Sequence, residues 1–549
     1  MTQRTGGRIL VDNLLAQGCA RIFTVPGESF LPALDALHDS PEIDLVVCRQ
    51  EGGAAYAAEA DGKLTGRPGV AFVTRGPGAA NAAIGVHTAM QDSTPMLLLV
   101  GDVARGDRDR EGFQEVDFPA FFAPLAKWAA RVESAARLPE YVARAYRVAI
   151  SGRPGPVVLA LPEDMLAEIA DVPDRTLVGR PAQVPDPLAL AALHELLEKA
   201  TAPVAIVGGA GWDAGAAAYF GEWAERTGIP VAAAFRRQDS LPNTSPVWAG
   251  NLGYGPNPKL VERVRAADLL LVLGARLGEA TTDGYQLVTP EHPNQTLVHV
   301  HPDPDELGRV YRTDLPICAD PTEFAEHLAA WGEEPCGFPD GKQAHAEWLG
   351  WSEPQLNGQA LDLGLVVKQL RDALPADTIV CNGAGNFSSW FHRYWRYAGP
   401  VCQLAPTNGS MGYGLPAGIA ASLRHPDRQV LVAAGDGDFL MNGQELATAV
   451  ARRCRMLVLV IDNASYGTIR MHQERAYPGR VVGTDLANPD FAALARAYGA
   501  WSATVERTED FAAALAEARQ APGVALLHLK SDIEQIAPAV TVSALRARR

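Results

Sequence analysis

The chain has 549 residues, of which 47% are hydrophobic and 20% charged, enough for about three globular domains. Its formal net charge of −16 argues against nucleic acid as a partner, because nucleic-acid-binding domains concentrate positive charge. Seven cysteines without a CxxC pair indicate a reduced compartment, the amino terminus lacks a signal-peptide pattern, and no apolar run is long enough for a membrane span. We therefore expect a soluble cytoplasmic protein.

Three segments repeat one pattern, in which a short apolar run is followed by a Gly-containing turn and a helical stretch. Strands that alternate with helices indicate βαβ units and parallel sheets. The predicted strands are 20–25, 45–48, 69–74, 96–100 and 156–161, then 202–209, 230–234, 269–275 and 296–301, then 378–383, 429–437, 456–462 and 524–529. The fold class is α/β, with three doubly wound parallel-sheet domains at 1–172, 188–332 and 355–535. Pro- and charge-rich stretches near 171–187 and 331–354 are predicted as surface linkers.

A carboxylate follows the second predicted strand. Glu51 comes directly before a run of good helix formers, at the carboxyl end of a buried strand. Ligands of parallel sheets bind at such strand ends. Glu51 is either an anion at a helix amino terminus, worth about 0.3–1 kcal/mol, or a reactive group, and its local sequence leaves both interpretations open.

The third segment predicts a site for a metal ion and a phosphate group. Gly435-Asp436-Gly437-Asp438 directly follows a buried strand, and Asn463 ends the next strand, one crossover later. Mg²⁺ is typically held by one or two carboxylates together with phosphate oxygens. We predict Asp436, Asn463 and the backbone carbonyl of Ser465 as metal ligands. The turn Ser465-Tyr466-Gly467-Thr468 offers N–H groups to a phosphate.

This pairing of GDG with a later Asn resembles the diphosphate–Mg²⁺ motif of thiamine diphosphate (ThDP) enzymes. "GRPGVAFVTRGPGAANAAIGVHTAMQDSTPMLLLVG", "EGFQEVDF", "SGRPGPVVLALPEDM" and "GSMGYGLPAGIAASL" are similar to the acetolactate synthase large-subunit group. The resemblance covers essentially the whole chain. It implies a pyrimidine-binding domain, a central Rossmann-like domain and a diphosphate-binding domain. It also implies a homodimer, or a tetramer of two dimers, with the cofactor between the first domain of one subunit and the third of its partner.

The resemblance assigns a role to Glu51: the matching glutamate hydrogen-bonds N1′ of the cofactor's aminopyrimidine ring. It also assigns Gln114 to the active site, the alternative being the solvated start of a helix. Met411 matches the bulky residue that props the two cofactor rings. The other cofactor contacts that it implies are Gly76, Pro77, Gly78, Asn386, Phe387, Gly409, Ser410, Gly435, Asp436, Gly437, Asp438, Asn463, Ser465, Tyr466, Gly467 and Thr468.

Several positions depart from the acetolactate synthase pattern. His472 stands where these enzymes carry a Trp that favours a larger second keto acid, and Thr468 replaces a common Met, so both are substrate candidates. Arg75 stands in TRGPG where the group shows Ser-Gly-Pro-Gly or Thr-Gly-Pro-Gly, and it pairs either with a substrate carboxylate or with a neighbouring acid. Glu28 stands where many members have a small residue; it is either a catalytic acid or a helix-start anion.

The predicted function is a ThDP- and Mg²⁺-dependent decarboxylation of a 2-oxo acid with carboligation, in the simplest case from two pyruvates to 2-acetolactate. The alternative is a decarboxylase that releases an aldehyde, which Glu28 favours. FAD in the central domain is left open by the turns VGGAGW and VLGARLGE. An NAD(P)-dependent oxidoreductase would need GxGxxG, but Gly208-Gly209-Ala210-Gly211 has no third glycine in register.

Overall fold

The computed structural model describes residues 3–209, 211–331 and 337–547. Ala210 and part of the linker predicted near 331–354 lie outside these ranges. Three six-stranded sheets, each with parallel neighbours throughout and flanked by helices, confirm the predicted α/β class. The chain divides into two compact units, the first of Met1–Pro181, Gly412–Pro426 and Leu440–Cys454, and the second of Ala182–Met411, Asp427–Phe439 and Arg455–Arg549.

The helices and strands are as follows in chain order. The first stretch contains β1 Arg4–Thr5, α1 Gly6–Ala16, β2 Arg21–Thr24, α2 Leu31–His38, β3 Asp44–Val47, α3 Glu51–Thr65, β4 Gly69–Val73, α4 Gly76–Asp92, β5 Met96–Asp102, α5 Phe118–Phe122, β6 Trp128–Arg131, α6 Leu138–Ile150, β7 Pro156–Pro162, α7 Glu163–Ala167 and β8 Ile169–Ala170. The second contains α8 Pro187–Lys199, β9 Pro203–Val207, α9 Ala214–Thr227, β10 Val231–Ala233, β11 Trp248–Asn251, α10 Pro258–Ala266, β12 Leu269–Leu273, β13 Thr296–His301, β14 Leu315–Cys318, α11 Pro321–Ala329 and α12 Asp340–Trp351. The third contains α13 Leu363–Ala373, β15 Ile379–Asn382, α14 Ser388–Tyr394, β16 Gln403–Leu404, α15 Gly414–Arg424, β17 Val430–Gly435, α16 Asp436–Leu440, α17 Leu446–Ala451, β18 Met456–Asp462, α18 Gly467–Ala476, α19 Phe491–Ala497, β19 Trp501–Val505, α20 Thr508–Ala518, β20 Val524–Lys530, β21 Gln535–Ala537, β22 Val540–Thr541 and α21 Val542–Ala547.

The first unit is built on the sheet β3-β2-β4-β5-β7-β6. Its inner strand β5 is buried at every position, as a continuous apolar run in a parallel sheet should be. Helices α15 and α17 belong to this unit although they lie far along the chain. Tyr413, just before α15, donates to Glu59 of α3 at 2.6 Å, and Arg424 of α15 binds both oxygens of Asp61 at 2.9 and 2.6 Å.

The second unit contains the central sheet β11-β10-β9-β12-β13-β14 and the carboxyl-terminal sheet β16-β15-β17-β18-β20-β19. A buried polar cluster joins the two parts of this unit: Gln403, the first residue of β16, accepts a hydrogen bond from the backbone N–H of Gln238 at 2.8 Å. The residues 340–351, predicted as part of a surface linker, instead form α12. That prediction was wrong because Trp348 packs edge-on against Trp248 in the central core.

Five strands of the three large sheets were not predicted: β6, β11, β14, β16 and β19. Each of them lies at an edge of its sheet. Most are short or partly exposed, so their sequences carry no sustained apolar run. None of the helices in the described part of the chain combines the length and the apolar character that a membrane span needs.

Candidate active site

The two predicted metal-ligand side chains meet at one backbone N–H group. Asp436 directly follows β17 and Asn463 directly follows β18, and these strands are neighbours in the sheet. The N–H of Ser465 donates to Asp436 Oδ2 at 3.2 Å and to Asn463 Oδ1 at 3.1 Å. The parallel topology therefore brings the side-chain oxygens of Asp436 and Asn463 to one point, as the sequence predicts.

Asn488 links this point to a second carboxylate. Its Nδ2 donates to Asp436 Oδ2 at 2.8 Å and to Asp462 Oδ1 at 2.7 Å. Burial, with a smaller contribution from the charge of Asp462, raises the pKa of Asp436 to about 6. A bound cation would favour the charged carboxylate at this position. Asn488 was not predicted, because an Asn before a Pro in a loop indicates only a turn.

His528 supports the second carboxylate from the neighbouring strand β20. Its Nε2 and Asp462 Oδ2 are 2.9 Å apart, and the side chain of His528 is only 2% exposed. Burial alone would raise the pKa of Asp462, but the bonds with His528 and Asn488 outweigh it and hold that pKa below its ordinary value. One signal for His528 was present, since a lone histidine inside a buried apolar strand needs a polar partner.

The glycines of the GDGD turn are required by packing inside the protein. A Cβ on Gly437 would lie 2.5 Å from the ring of Tyr466, and a Cβ on Gly435 would lie 3.0 Å from the ring of Phe387. Phe387 is buried in the carboxyl-terminal core. Asp438 is buried and accepts a hydrogen bond from the backbone N–H of Ala384 at 3.1 Å, so it supports the loop that follows β15.

Two predicted cofactor contacts, Asn386 and Thr468, bind each other. Thr468 Oγ1 donates to Asn386 Oδ1 at 3.0 Å, and Asn386 Nδ2 donates to the carbonyl of Ile536 at 2.9 Å. Asn386 thus ties the loop after β15 to the start of α18 and to β21. Gly467 is the first residue of α18, and a Cβ added to it would lie 3.1 Å from Asn463 Nδ2.

Helix α18 carries the predicted substrate residues. Thr468 is half-buried and His472 is exposed within this unit. Another residue of this helix, Glu474, is fully buried. Glu474 accepts hydrogen bonds from Arg470 at 2.9 Å and from Arg546 at 2.9 and 2.7 Å, and these bonds hold the helix in place. These bonds, led by those from Arg546, lower the pKa of Glu474 to about 2.

The remaining predicted contacts of this unit lie in the turn after β16. Gly409 has a φ of +73°, which favours glycine, and its N–H donates to the carbonyl of Pro406 at 3.1 Å. Ser410 donates from its backbone N–H to the side chain of Asn408 at 3.1 Å, and Met411 is half-buried.

In the first unit, Glu51 is the first residue of α3 and is half-buried. Its Oε2 accepts a hydrogen bond from Asn81 of α4 at 2.9 Å. A Cβ added to Gly78 would lie 3.5 Å from Glu51 Oε1, so the start of α4 runs close beside the carboxylate. Three predicted cofactor contacts, Gly76, Pro77 and Gly78, form the first turn of α4. Pro77 suits that place because helices tolerate Pro in their first turn.

Two more predicted site residues lie near the start of α4. Gln114 lies in a turn with a φ of +64°, and its carbonyl accepts a hydrogen bond from the N–H of Gly76 at 3.0 Å. The alternative interpretation, in which Gln114 starts a helix, was therefore wrong. Glu28, at the start of a short 3₁₀ helix Glu28–Phe30, accepts from Arg75 Nη1 at 3.2 Å. Arg75 also pairs with Glu163, so it binds neighbouring acids within the protein.

The site in the second unit fits a divalent cation with a diphosphate. One buried carboxylate, one amide oxygen and nearby backbone groups form a hard oxygen donor set of the kind that Mg²⁺ takes when phosphate completes its shell. Among the described residues no group of three or more His, Cys, Asp or Glu side chains forms a metal cluster. The donors present therefore suit a cation that binds together with its cofactor.

The glycines at the strand ends of the central sheet were the sequence features that left FAD binding open. A Cβ on Gly208 would lie 2.7 Å from the Cβ of Arg237, and a Cβ on Gly209 would lie 2.4 Å from the carbonyl of Gly274. Packing inside the protein thus accounts for both glycines, at the strand ends where a dinucleotide would lie. The two glycines therefore give no support for FAD, and we derive no step through it.

The fold is α/β, and the side-chain oxygens of Asp436 and Asn463 lie at adjacent ends of parallel strands, where they fit a cation together with a diphosphate. Family models agree: the amino-terminal thiamine pyrophosphate binding domain matches residues 4–121, the central domain 190–328 and the carboxyl-terminal thiamine pyrophosphate binding domain 383–529.

Full-length relatives point to a narrower group. The acetolactate synthase isozyme 2 large subunit of Escherichia coli is 31% identical, with 97% of each chain covered. The acetolactate synthase large subunit of Corynebacterium glutamicum is 30% identical over 94% of this chain and 85% of its own length, and that of Lactococcus lactis is 31% identical over 90% and 87%. The chain belongs to the thiamine diphosphate-dependent enzymes, in the acetolactate synthase large-subunit-like group.

Proposed function

We propose that the chain catalyses the ThDP- and Mg²⁺-dependent decarboxylation of a 2-oxo acid and joins the remaining acyl unit to a second 2-oxo acid, as in the formation of 2-acetolactate from two pyruvates. The observation that supports this best is the meeting of Asp436 and Asn463 at the N–H of Ser465. The names of the full-length relatives support carboligation as the outcome.

The residues have the following proposed roles. Asp436, Asn463 and the carbonyl of Ser465 hold Mg²⁺, and the backbone around Gly435 and Gly467 holds the diphosphate. Bound ThDP supplies an electron sink for the carbon that loses CO₂. Glu51, oriented by Asn81, exchanges a proton with the pyrimidine ring nitrogen.

The substrate is proposed to lie near Gln114, Thr468 and His472, and the turn Gly409–Met411 is proposed to line the cofactor. We further propose a cytoplasmic homodimer or tetramer with active sites at the subunit interface. The pyrimidine-binding, central and diphosphate-binding domains are proposed at 1–172, 188–332 and 355–535. FAD is not part of the proposal.

The test is proton NMR of purified protein with pyruvate, ThDP and Mg²⁺, and with 2-oxobutyrate as a second acceptor. We expect 2-acetolactate from the unchanged protein and none from Glu51→Gln. Glu140→Gln is the matched control, because Glu140 also lies in the first turn of a helix but is exposed and paired with Arg137. Acetaldehyde as the main product would establish the alternative decarboxylase, and untouched pyruvate with ThDP bound would exclude pyruvate as the donor.

A further inference from the structure

A loop of the second unit binds the stretch of chain that leads into the turn 409–411. The loop comprises residues 236–243 and follows β10 of the central sheet, whereas the turn follows β16 of the carboxyl-terminal sheet. Asp239 of the loop accepts hydrogen bonds at Oδ2 from the backbone N–H groups of Cys402 at 3.2 Å and Gln403 at 3.1 Å. One carboxylate oxygen therefore binds two successive residues at the start of β16.

Two amide side chains of the same loop extend this contact. Gln238 Nε2 donates to the carbonyl of His392 at 2.7 Å, and Gln403 Nε2 donates to Gln238 Oε1 at 3.2 Å. Asn243 exchanges two bonds with the backbone of Tyr397, at 2.9 Å from its own N–H and at 2.8 Å to its side-chain oxygen. These groups are buried, and such bonds fix one arrangement because an unpaired polar group is costly there.

Arg236, the first residue of the loop, reaches the base of the turn. Its Nη1 donates to the carbonyl of Pro406 at 2.5 Å, and the N–H of Gly409 donates to the same carbonyl at 3.1 Å. Arg236 is 6% exposed, whereas Gly409 is exposed within this unit. A buried guanidinium and an exposed turn thus share one acceptor, so the position of that acceptor affects the position of the turn.

The backbone of Arg236 is strained. Its φ is +58°, a left-handed conformation that favours glycine over a residue with a side chain. Burial of its charge adds a second cost. Residues keep such conformations where the surrounding structure fixes them, and they cluster at functional sites. Since neither feature favours stability, the bond with Pro406 indicates what Arg236 contributes.

We infer that Arg236 is a positioning residue, through which the loop 236–243 holds the turn 409–411 in the shape that binds ThDP. The inference rests on the proposed function, in which this turn lines the cofactor. The contribution is one of preorganisation, because a turn that is already ordered loses less conformational entropy when its ligand binds. The central sheet then contributes to cofactor affinity through this loop, and no bond to the cofactor or the substrate is assigned to Arg236.

The test measures the dissociation constant of ThDP at saturating Mg²⁺, by tryptophan fluorescence, and hydrogen exchange in the protein without ThDP. We expect Arg236→Gly to raise the dissociation constant on the order of tenfold, the effect of losing one bond from a charged donor, and to raise exchange in residues 402–411. Its thermal midpoint should not fall, because glycine relieves the strained φ and removes the buried charge. A purely structural residue would instead lower the midpoint and leave the affinity for ThDP unchanged.

Arg453→Gly is the matched control, because Arg453 also has a positive φ, of +53°, but is exposed and belongs to the first unit. It should leave both the dissociation constant and the exchange of residues 402–411 unchanged. If Arg236→Gly does not fold, Arg236→Met replaces it, because methionine keeps an apolar stem and loses only the donor. The same two results are then expected.

An unchanged dissociation constant in a folded Arg236→Gly or Arg236→Met protein would overturn the inference and leave the proposed function intact. A raised constant with unchanged exchange in residues 402–411 would overturn it as well, because Arg236 would then act on the cofactor by a route other than the turn. An unchanged protein that does not bind ThDP would overturn the proposed function together with this inference.

Discussion

Asp436 and Asn463 accept hydrogen bonds from the same donor, the backbone N–H of Ser465, although a whole strand–helix–strand crossover separates them in the chain. Ala464, between Asn463 and Ser465, has a φ of +53°, and its N–H donates to Asp462 Oδ1 at 3.0 Å. The Asp462 carboxylate therefore fixes the shape of this turn. The side-chain oxygens of Asp436 and Asn463 are thus oriented before any cation binds.

Asn488→Leu is expected to weaken Mg²⁺ binding about 10- to 100-fold, the usual effect of removing a group that orients a metal ligand. Leu has a similar size but cannot bridge Asp436 and Asp462. The measurement is a Mg²⁺ titration at fixed ThDP, followed by tryptophan fluorescence. Asn294→Leu, at an exposed position, is the control. Equal Mg²⁺ affinity in both variants would contradict an orienting role for Asn488.

Asn81→Ala is expected to lower kcat on the order of tenfold or more while the affinity for ThDP changes little, because Asn81 orients Glu51. Asn81→Asp is expected to be worse, since it places a second carboxylate against the first. Steady-state kinetics and ThDP titration separate the two effects. If kcat is the same in both variants as in the unchanged protein, the contact with Asn81 is incidental to catalysis.

Gly437→Ala is expected to destabilise the second unit by about 1–3 kcal/mol, the usual cost of overpacking. Its new methyl group would meet the Tyr466 ring at 2.5 Å. Adding Tyr466→Ala is expected to restore part of the loss in thermal unfolding. Gly106→Ala, where a Cβ would meet no atom within 4 Å, is the neutral control. A stable Gly437→Ala protein would show that the ring moves freely.

His392→Phe is expected to reduce the acid sensitivity of the second unit. Burial lowers the pKa of His392 to about 3, from an ordinary value near 6.5. The unfolded chain takes up a proton below pH 6.5 and the folded chain does not, so this contribution is complete above pH 6.5 and falls by about 1.4 kcal/mol per pH unit as pH drops toward 3.

His392 Nε2 has no hydrogen-bond partner among the described residues, so Phe should cost little at pH 8. Thermal midpoints from pH 8 to pH 5 provide the measurement, with the surface variant His38→Phe as control. Parallel curves for His392→Phe and the unchanged protein would mean that another group carries the sensitivity.

Glu474→Gln is expected to loosen α18 and α21 together, because Glu474 is bound by Arg470 of α18 and by Arg546 of α21. Hydrogen exchange measured by mass spectrometry should rise in residues 467–476 and 542–547. Glu509→Gln, which removes an exposed pair with Arg507, should leave exchange there unchanged. Protection retained in α21 would indicate that the apolar contacts of Ile536, Val542 and Leu545 hold it alone.

The sheets could be predicted because their inner strands are buried on both faces and therefore appear as continuous apolar runs. Five of the six edge strands could not; Trp128–Arg131, for example, is partly exposed, and Gln403–Leu404 has only two residues. The helix Asp340–Trp351 was hidden by its polar composition, because only a few of its side chains reach the core.

The meeting of Asp436 and Asn463 could be predicted because the carboxyl ends of neighbouring parallel strands lie together; their role as metal ligands stays a prediction. Asn488 could not, since its loop position is set by tertiary packing that no local pattern records. Arg75 was left with two interpretations, and only the folded structure selects the acids that it binds. The roles of His472 and Gln114 stay predictions.

The first unit is assembled from three separate stretches of chain. A fragment that ends near residue 181 would lack α15, leaving Glu59 without Tyr413 and Asp61 without Arg424. Such a fragment would expose the face of α3 that α15 covers, and ribosomes would have to make more than 420 residues before that face is closed. Insertions, circular permutations and truncations of this chain must therefore respect a boundary that its linear order does not show.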